Sequence, residues 1–266
     1  MTRYFICLSA VVFMTGVQLS SSHAQGFLDH VDLTSPDMTE AEMTRDEVAA
    51  LLDQATHTQP ADLTGKRLSG LDLSNLDFSY AILKSARLNG TNLRGANLDH
   101  AVLDQAWMLK TDLTGATFRH GHAFQAQMIG AILVSADLSG TLLASDLTKA
   151  NLTNANLSAA NLGADMKNQS MGLMRGILRS ANLSGANFTE ANLSHVDFEF
   201  ANMQGVNLTK SNMMSATLGG ANLTGSTVTG VNFNKADVTS TVLKNMIGVQ
   251  TTNLPSAVNL NRAYRD

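Results

Sequence analysis

The side chains with the most chemistry to offer in this sequence are its sulfurs and imidazoles. Thirteen methionines occur among 266 residues, and Met166, Met171 and Met174 crowd one short stretch. Thioethers are soft ligands suited to copper(I), so this trio is a weak candidate for a metal site, with periplasmic copper handling the function it would imply. Met108, Met128, Met203 and Met213 do not join it, because they fall in phase with an apolar period where flexible thioethers fill a core. His120 and His122 flank Gly121, without the neighbouring carboxylates or cysteines that a ligand set needs. No Ser/His/Asp arrangement at interpretable spacing and no glycine-rich phosphate loop is present. Converging nucleophiles and bases are what catalysis requires, so the sequence predicts no enzyme, no catalytic residue and no cofactor.

The aspartates lead to the organising feature. Most precede a large apolar residue directly, a slot where carboxylates bond to turns or to water. Every fifth position from Leu63 to Leu143 is Leu, Phe or Met except Ala123, and the same holds, with Val allowed, from Leu178 to Leu243. Two residues before each stands a small residue, usually Ala. A helix needs spacings of three and four and a flat strand needs alternation, so a period of five requires the chain to turn every five residues. The large and small residues then share the inner side of a short extended segment. This arrangement puts Leu63, Leu73, Phe78, Leu98, Leu113, Leu138, Leu183, Phe188, Leu193, Phe198, Leu223 and Phe233 in the core. Glycine in the last slot, as at Gly65 and Gly115, suits the bend. Stacked coils pair backbone groups at roughly 4.8 Å per rung and contact only their neighbours.

The motif A(D/N)LXX is written almost verbatim in Ala150-Asn151-Leu152-Thr153-Asn154 and Ala221-Asn222-Leu223-Thr224-Gly225. In these repeats the chain resembles the pentapeptide repeat proteins. The resemblance implies an all-β fold, a right-handed quadrilateral β-helix with about twenty residues per coil. It also brings an alternative function, since some relatives bind DNA gyrase by imitating duplex DNA, and some form dimers through a terminus.

The repeats divide the chain. Residues 1–24 read as a secretory signal: Arg3 is the positive start, Tyr4 to Val17 the apolar stretch, and Ser22-His23-Ala24 the cleavage site. Residues 25–60 form an extension in which Thr44-Arg45-Asp46-Glu47, followed by Val48, Leu51, Leu52 and Ala55, reads as a capped amphipathic helix that closes the open first coil. The five-residue phase also survives in Val31 to Arg45, which allows degenerate coils there. Residues 61–143 are a first repeat block and 178–243 a second. Between them, 144–177 carry a one-residue phase shift, at Leu147, Leu152, Leu157 and Leu162, and an irregular stretch from Gly163 to Gly176 that predicts a projecting loop. Residues 244–266 make a C-terminal cap, with a short helix expected from Pro255 to Tyr264.

With 18 basic and 22 acidic residues the net charge is −4, and losing Arg3 makes it about −5. No basic stripe exists, which argues against nucleic acid and anionic membrane surfaces as partners. The single cysteine, Cys7, lies in the signal, so the exported chain is expected to lack disulfides and membrane insertion, in the periplasm or outside the cell. Residues twenty apart should stack, so Ile82, Val102, His122 and Leu142 make an outward, mainly apolar column. Leu109 and Ile129 stack on the next face with Trp107 beside them, and Phe124 joins the patch unless a local slip buries it in place of Ala123. An apolar surface of this kind marks an interface unless the protein covers it itself. The expected function is an exported, non-catalytic scaffold that docks an unknown protein partner or a second copy.

Overall fold

The structure, a computed structural model, describes residues 31–164 and 174–266. The chain divides into two compact units, Met1–Leu33 and Thr34–Asp266. The coil architecture belongs to the second, and the expected signal, Met1 to Ala24, lies outside the described residues.

Four parallel ladders of single-residue bridges run through this unit. Asp62 pairs with Ile82, Arg67 with Arg87, Asp72 with Asn92 and Asp77 with Asn97, and each ladder continues coil by coil. Around each bridge three residues are engaged: the Leu63 N–H donates to the Ile82 carbonyl at 2.7 Å, and the Ile82 N–H to the Ala61 carbonyl at 2.9 Å. Sides this short leave only β1 (Val242–Leu243) and β2 (Tyr264–Arg265), among the described residues, as strands longer than one residue.

Corners explain the brevity of the sides. The Lys66 N–H donates back to the Leu63 carbonyl at 3.1 Å, closing a four-residue turn, and the third residue of that turn, Gly65, has φ +68°. The same left-handed conformation recurs at non-glycine corners, among them Ser135 (φ +55°), Tyr80 (φ +63°) and Phe200 (φ +60°). An L-residue there costs roughly 1–2 kcal/mol, a strain that core burial must offset.

The core runs along the axis of the coils. Leu63, Leu73, Phe78, Leu98, Leu113, Leu138, Leu183, Phe188, Leu193, Phe198, Leu223 and Phe233 are all buried, as are Met108, Met128, Met203 and Met213. Where the small slot holds threonine the hydroxyl is buried too and bonds back to a core carbonyl: Thr111 Oγ1 donates to the Leu88 carbonyl at 2.6 Å and Thr241 Oγ1 to the Leu218 carbonyl at 2.8 Å. Ala123 keeps the core slot and Phe124 stays outside it, half-buried, so the slip does not occur. The Phe118 ring lies where a Cβ on Gly121 would stand.

The phase shift has two parts. One corner is shortened by a residue, so Gln127 pairs with Asp146 rather than with residue 147, and the Ser145 hydroxyl turns inward to the Ala123 carbonyl. The coil that follows is lengthened, since Asp146 pairs with Ile177. Residues 165–173 of the expected projecting loop lie outside the described residues; at the base of the insertion the Gly176 N–H donates to the Leu162 carbonyl at 2.7 Å.

At the N-terminal end, α1 (Pro36–Thr39) and α2 (Arg45–Gln54) replace the degenerate coils that the phase of Val31 to Arg45 allowed. Pro36 stands at the start of the helical turn, where its fixed φ suits a helix and its missing N–H is no loss, whereas in a coil that slot's N–H would close the preceding corner. α2 begins with a capping box: Thr44 Oγ1 accepts from the Glu47 N–H and the Glu47 carboxylate from the Thr44 N–H. Val48 is buried within the core cluster. Arg45 donates to the carbonyls of Asp72 and Ser74.

At the other end the expected helix over Pro255 to Tyr264 is absent. Short 3₁₀ turns at Val249–Thr251, Leu254–Ser256 and Leu260–Arg262 take its place and act as corners of one more coil. Val258 pairs with Asp237, and β2 pairs with β1 in parallel, Tyr264 opposite Val242. These partners stand further apart along the chain than those of the regular coils, so a search for fives passes over this last one.

Candidate interaction surface

Backbone pairing sets the outer faces. Ile82, Val102, His122 and Leu142 follow one another in a single ladder, which continues as Asn161, Asn192, Asn212 and Asn232. After Asp62 at its start, this face carries three apolar residues and His122 and is then amide-lined over its later coils. Leu142 is 42% exposed, while Ile82 and Val102 are half-buried by their neighbours. Trp107 belongs to the adjacent ladder, between Arg87 and Gln127. Leu109 and Ile129 occupy the corner beyond, both half-buried, and the Leu109 N–H is held by Asn89 Oδ1 at 3.0 Å. The Phe124 N–H is held in the same way by Asp104 Oδ1 at 2.9 Å, at the corner between the Leu142 and Trp107 faces. Arg45 of α2 makes its contacts elsewhere, with Asp72 and Ser74. Ile132, 38% exposed between Asp112 and Asn151, is a further apolar outward residue, one that stacking by spacing does not single out because it has no apolar neighbour in its ladder.

The amide half is a hydrogen-bonded array. Asn192 Nδ2 donates to Asn161 Oδ1 at 2.8 Å while its own Oδ1 accepts from the Ser194 N–H at 3.2 Å. Asn232 bonds to Asn212 at 2.9 Å and Asn253 to Asn232 at 2.8 Å. Asparagine in this slot therefore ties coil to coil and stabilises the corner that follows it.

Carboxylates in the slot behave alike. The Thr64 hydroxyl and N–H hold the Asp62 carboxyl below its ordinary range, and Ser74 does the same for Asp72. Burial pushes the carboxyls of Asp99 and Asp112 upward, but hydrogen bonds from Arg119 to the first, and from Thr114 and Arg94 to the second, outweigh it and leave both lowered. Arg119 grips Asp99 through Nε at 2.9 Å and through Nη2. Arg179 bridges Asp197 at 2.7 Å and Glu199 at 2.9 Å. These pairs neutralise Asp99, Asp197 and Glu199 locally.

One corner carries rings in sequence. His57 meets Tyr80 edge-on at 4.4 Å between centroids, Tyr80 stacks on His100 at 4.8 Å, and His100 stacks on His120 at 5.6 Å. The regular spacing of Tyr80, His100 and His120 is the signal by which the stack could have been found; His57, outside the repeats, gives none. His120 therefore belongs to a stack, while His122 lies in the outer column. Met166 and Met171 lie outside the described residues. Met174 Sδ accepts from Gln125 Nε2 at 3.1 Å. Among the described residues no group of three or more His, Cys, Asp or Glu is placed to hold a metal ion, and no helix is long and apolar enough to cross a membrane.

Four parallel ladders, a turn every five residues and an Ala/Leu interior define a β-helix of pentapeptide coils. The family model of pentapeptide repeats matches in eight copies, over residues 61–95, 81–119, 125–163, 177–214 and 215–245, and the chain belongs to this family. Among solved structures it is similar to QnrB1, a plasmid-mediated fluoroquinolone resistance protein, at 17% identity and a TM-score of 0.61, over 73% of this chain and 92% of that one. It is also similar to HetL of the cyanobacterium Nostoc, a protein involved in regulating heterocyst differentiation, at 26% identity, 81% and 94% coverage and a TM-score of 0.42. No curated protein matches the chain.

Proposed function

We propose that the protein is an exported, non-catalytic scaffold whose apolar outer column docks a protein partner. The observation that carries this reading is the unbroken ladder Ile82, Val102, His122, Leu142, ending in a leucine with 42% of its surface open to water. Apolar residues at three of four successive positions along a rigid face, with His122 among them and Phe124 at the corner, are material for an interface core. In this reading α2 caps the first coil of a right-handed, four-sided helix, with Val48 as its plug, and Met1 to Ala24 directs export.

Two measurements test it. Mass spectrometry of the native protein should find an N-terminus near Gln25. Val102→Ser and Leu142→Ser should release a co-purifying partner, or shift the mass found by light scattering, with little change in melting temperature. Retained association together with lowered stability would instead make the column internal packing.

A second reading takes its support from the likeness in fold to a fluoroquinolone resistance protein: a cytosolic protein that shields gyrase by resembling DNA. It requires retention of Met1 to Ala24 and a strongly negative surface. The ion pairs of Arg119 and Arg179 work against the second condition. Fractionation with the mature N-terminus in hand separates the two readings.

A further inference from the structure

Every coil but the first lies on a preceding one. Arg87, in the second coil, gives its N–H to the Lys66 carbonyl at 2.8 Å and accepts from the Leu68 N–H at 2.7 Å. Arg67 stands one coil earlier, and a residue from before the repeats supplies the same two bonds: the Glu42 N–H donates to the Arg67 carbonyl at 2.9 Å, and Glu42 Oε1 accepts from the Arg67 N–H at 3.4 Å. Arg45 of α2 does likewise on the next side, donating to the Asp72 carbonyl and, at 2.9 Å, to the Ser74 carbonyl. On the other two ladders the N–H and carbonyl of Asp62 and of Asp77 have no backbone partner among the described residues. Much of the hold is ionic. Glu42 pairs with Lys66 and Arg67, Asp37 with Arg87 and Arg45 with Asp72, all on side chains that water reaches, and exposed pairs of this kind are individually weak. Val48 and Met38 are the buried apolar anchors.

At the far end β2 closes the ladder that Asp72 opens, and β1 is its one strand partner among the described residues. Tyr264, Arg262 and Arg265 are exposed there. We propose that Glu42 and Arg45 block an end-to-end contact between copies of this chain, in which the last coil of one copy stacks on the first coil of the next once the cap is displaced. Unpaired N–H and C=O groups on an edge are a template for such pairing unless something covers them. The ladders are parallel throughout, so the stack continues without a change of strand direction. Arg262 and Arg265 of the arriving copy take the place of Arg45 beside Asp72. Because the two surfaces differ, the contact is heterologous and adds copies without a fixed number. The inference rests on reading α1 and α2 as a cap and is independent of the apolar column.

Light scattering and hydrogen exchange on the full chain test this. The wild type should hold one mass as concentration rises. Glu42→Ala combined with Arg45→Ala should speed exchange in Arg45–Gln54 at least about tenfold and give masses that climb with concentration past any fixed oligomer. Adding Arg262→Glu and Arg265→Glu should stop that growth at unchanged circular dichroism, whereas adding Leu142→Ser should leave it intact. Unchanged exchange, a mass that stays constant or stops at a dimer although the helices have opened, growth that survives the charge reversal or is lost with Leu142→Ser, and equal growth of the wild type each overturn the proposal.

Discussion

Corner residues bear the largest local cost in this protein, and their effects are separable one by one. Ser135 is exposed and has φ +55°. Relief of its left-handed strain exceeds the entropy that glycine adds to the unfolded chain, so Ser135→Gly is expected to stabilise by up to about 1 kcal/mol. Gly248 is the converse. At φ +84°, an added Cβ would collide with the Thr229 hydroxyl and press on its Cα at 3.0 Å. Gly248→Ala should therefore destabilise by about 1–2 kcal/mol or more. Inside, the hydroxyls of Ser211 and Ser226 are buried without a partner among the described residues. Alanine at either position should raise stability by about 1 kcal/mol, because an unmade hydrogen bond is removed from the interior. Thr111→Val, which deletes a bond that is made, should lose a comparable amount. Thermal unfolding of these variants gives the order directly; equal midpoints for Ser211→Ala and Thr111→Val would show that small-slot hydroxyls are energetically silent.

At the scale of elements the terminal pieces contrast with the coils. Thr44→Ala removes the capping box of α2 and should cost about 1 kcal/mol. Hydrogen exchange should place that loss in Arg45–Gln54 while the ladders beyond the first coil stay protected. The pattern of fives predicted a chain that turns every five residues, while the family and the β-helix came from the resemblance of the A(D/N)LXX motif to the pentapeptide repeats, which the family match bears out. It also carried the shortened corner and the insertion, since one missing residue near Ser145 shifts Leu147, Leu152, Leu157 and Leu162, and the phase is back at Leu178. It missed the last coil, because Val258 and Tyr264 sit out of register with the fives, with 3₁₀ turns between them. It likewise missed α1, where Pro36 interrupts a phase that the letters alone maintain. At the candidate surface the column Ile82 to Leu142 was legible from spacing, but its burial was not: Ile82 and Val102 are half-buried and Leu142 is open. Nor could spacing reveal the cleft between α2 and the first coil, since most of its wall, Ala49 to His57, comes from outside the repeats.

Across the whole coil stack the outward carboxylates set the response to acid. Asp62, Asp72, Asp99, Asp112 and Asp237 all have folded-state values below the ordinary carboxylate range. The unfolded chain therefore takes up protons first as pH falls. Their contribution is present in full above about pH 5 and declines through about pH 4 toward the lowered folded values. Melting temperature should be flat near neutrality and fall steeply below about pH 4, and a stack whose midpoint is unchanged at about pH 3 would contradict this account. Repetition has a further consequence. Each coil touches only those before and after it, through like residues in like slots, so the length of the stack is not fixed by its chemistry. Excision of Ala201 to Gly220 would set Asn182 opposite Asn222 and Asn192 opposite Asn232, amide against amide, with only Asp197 and Asp237 as an awkward new meeting. Duplication of the same stretch would stack Asn202, Asn207, Asn212 and Thr217 on copies of themselves, with Lys210 on Lys210 as its like-charge meeting. A gene encoding such a protein can lengthen or shorten its product in increments of one full turn, and so adjust the reach of its walls without inventing a new fold.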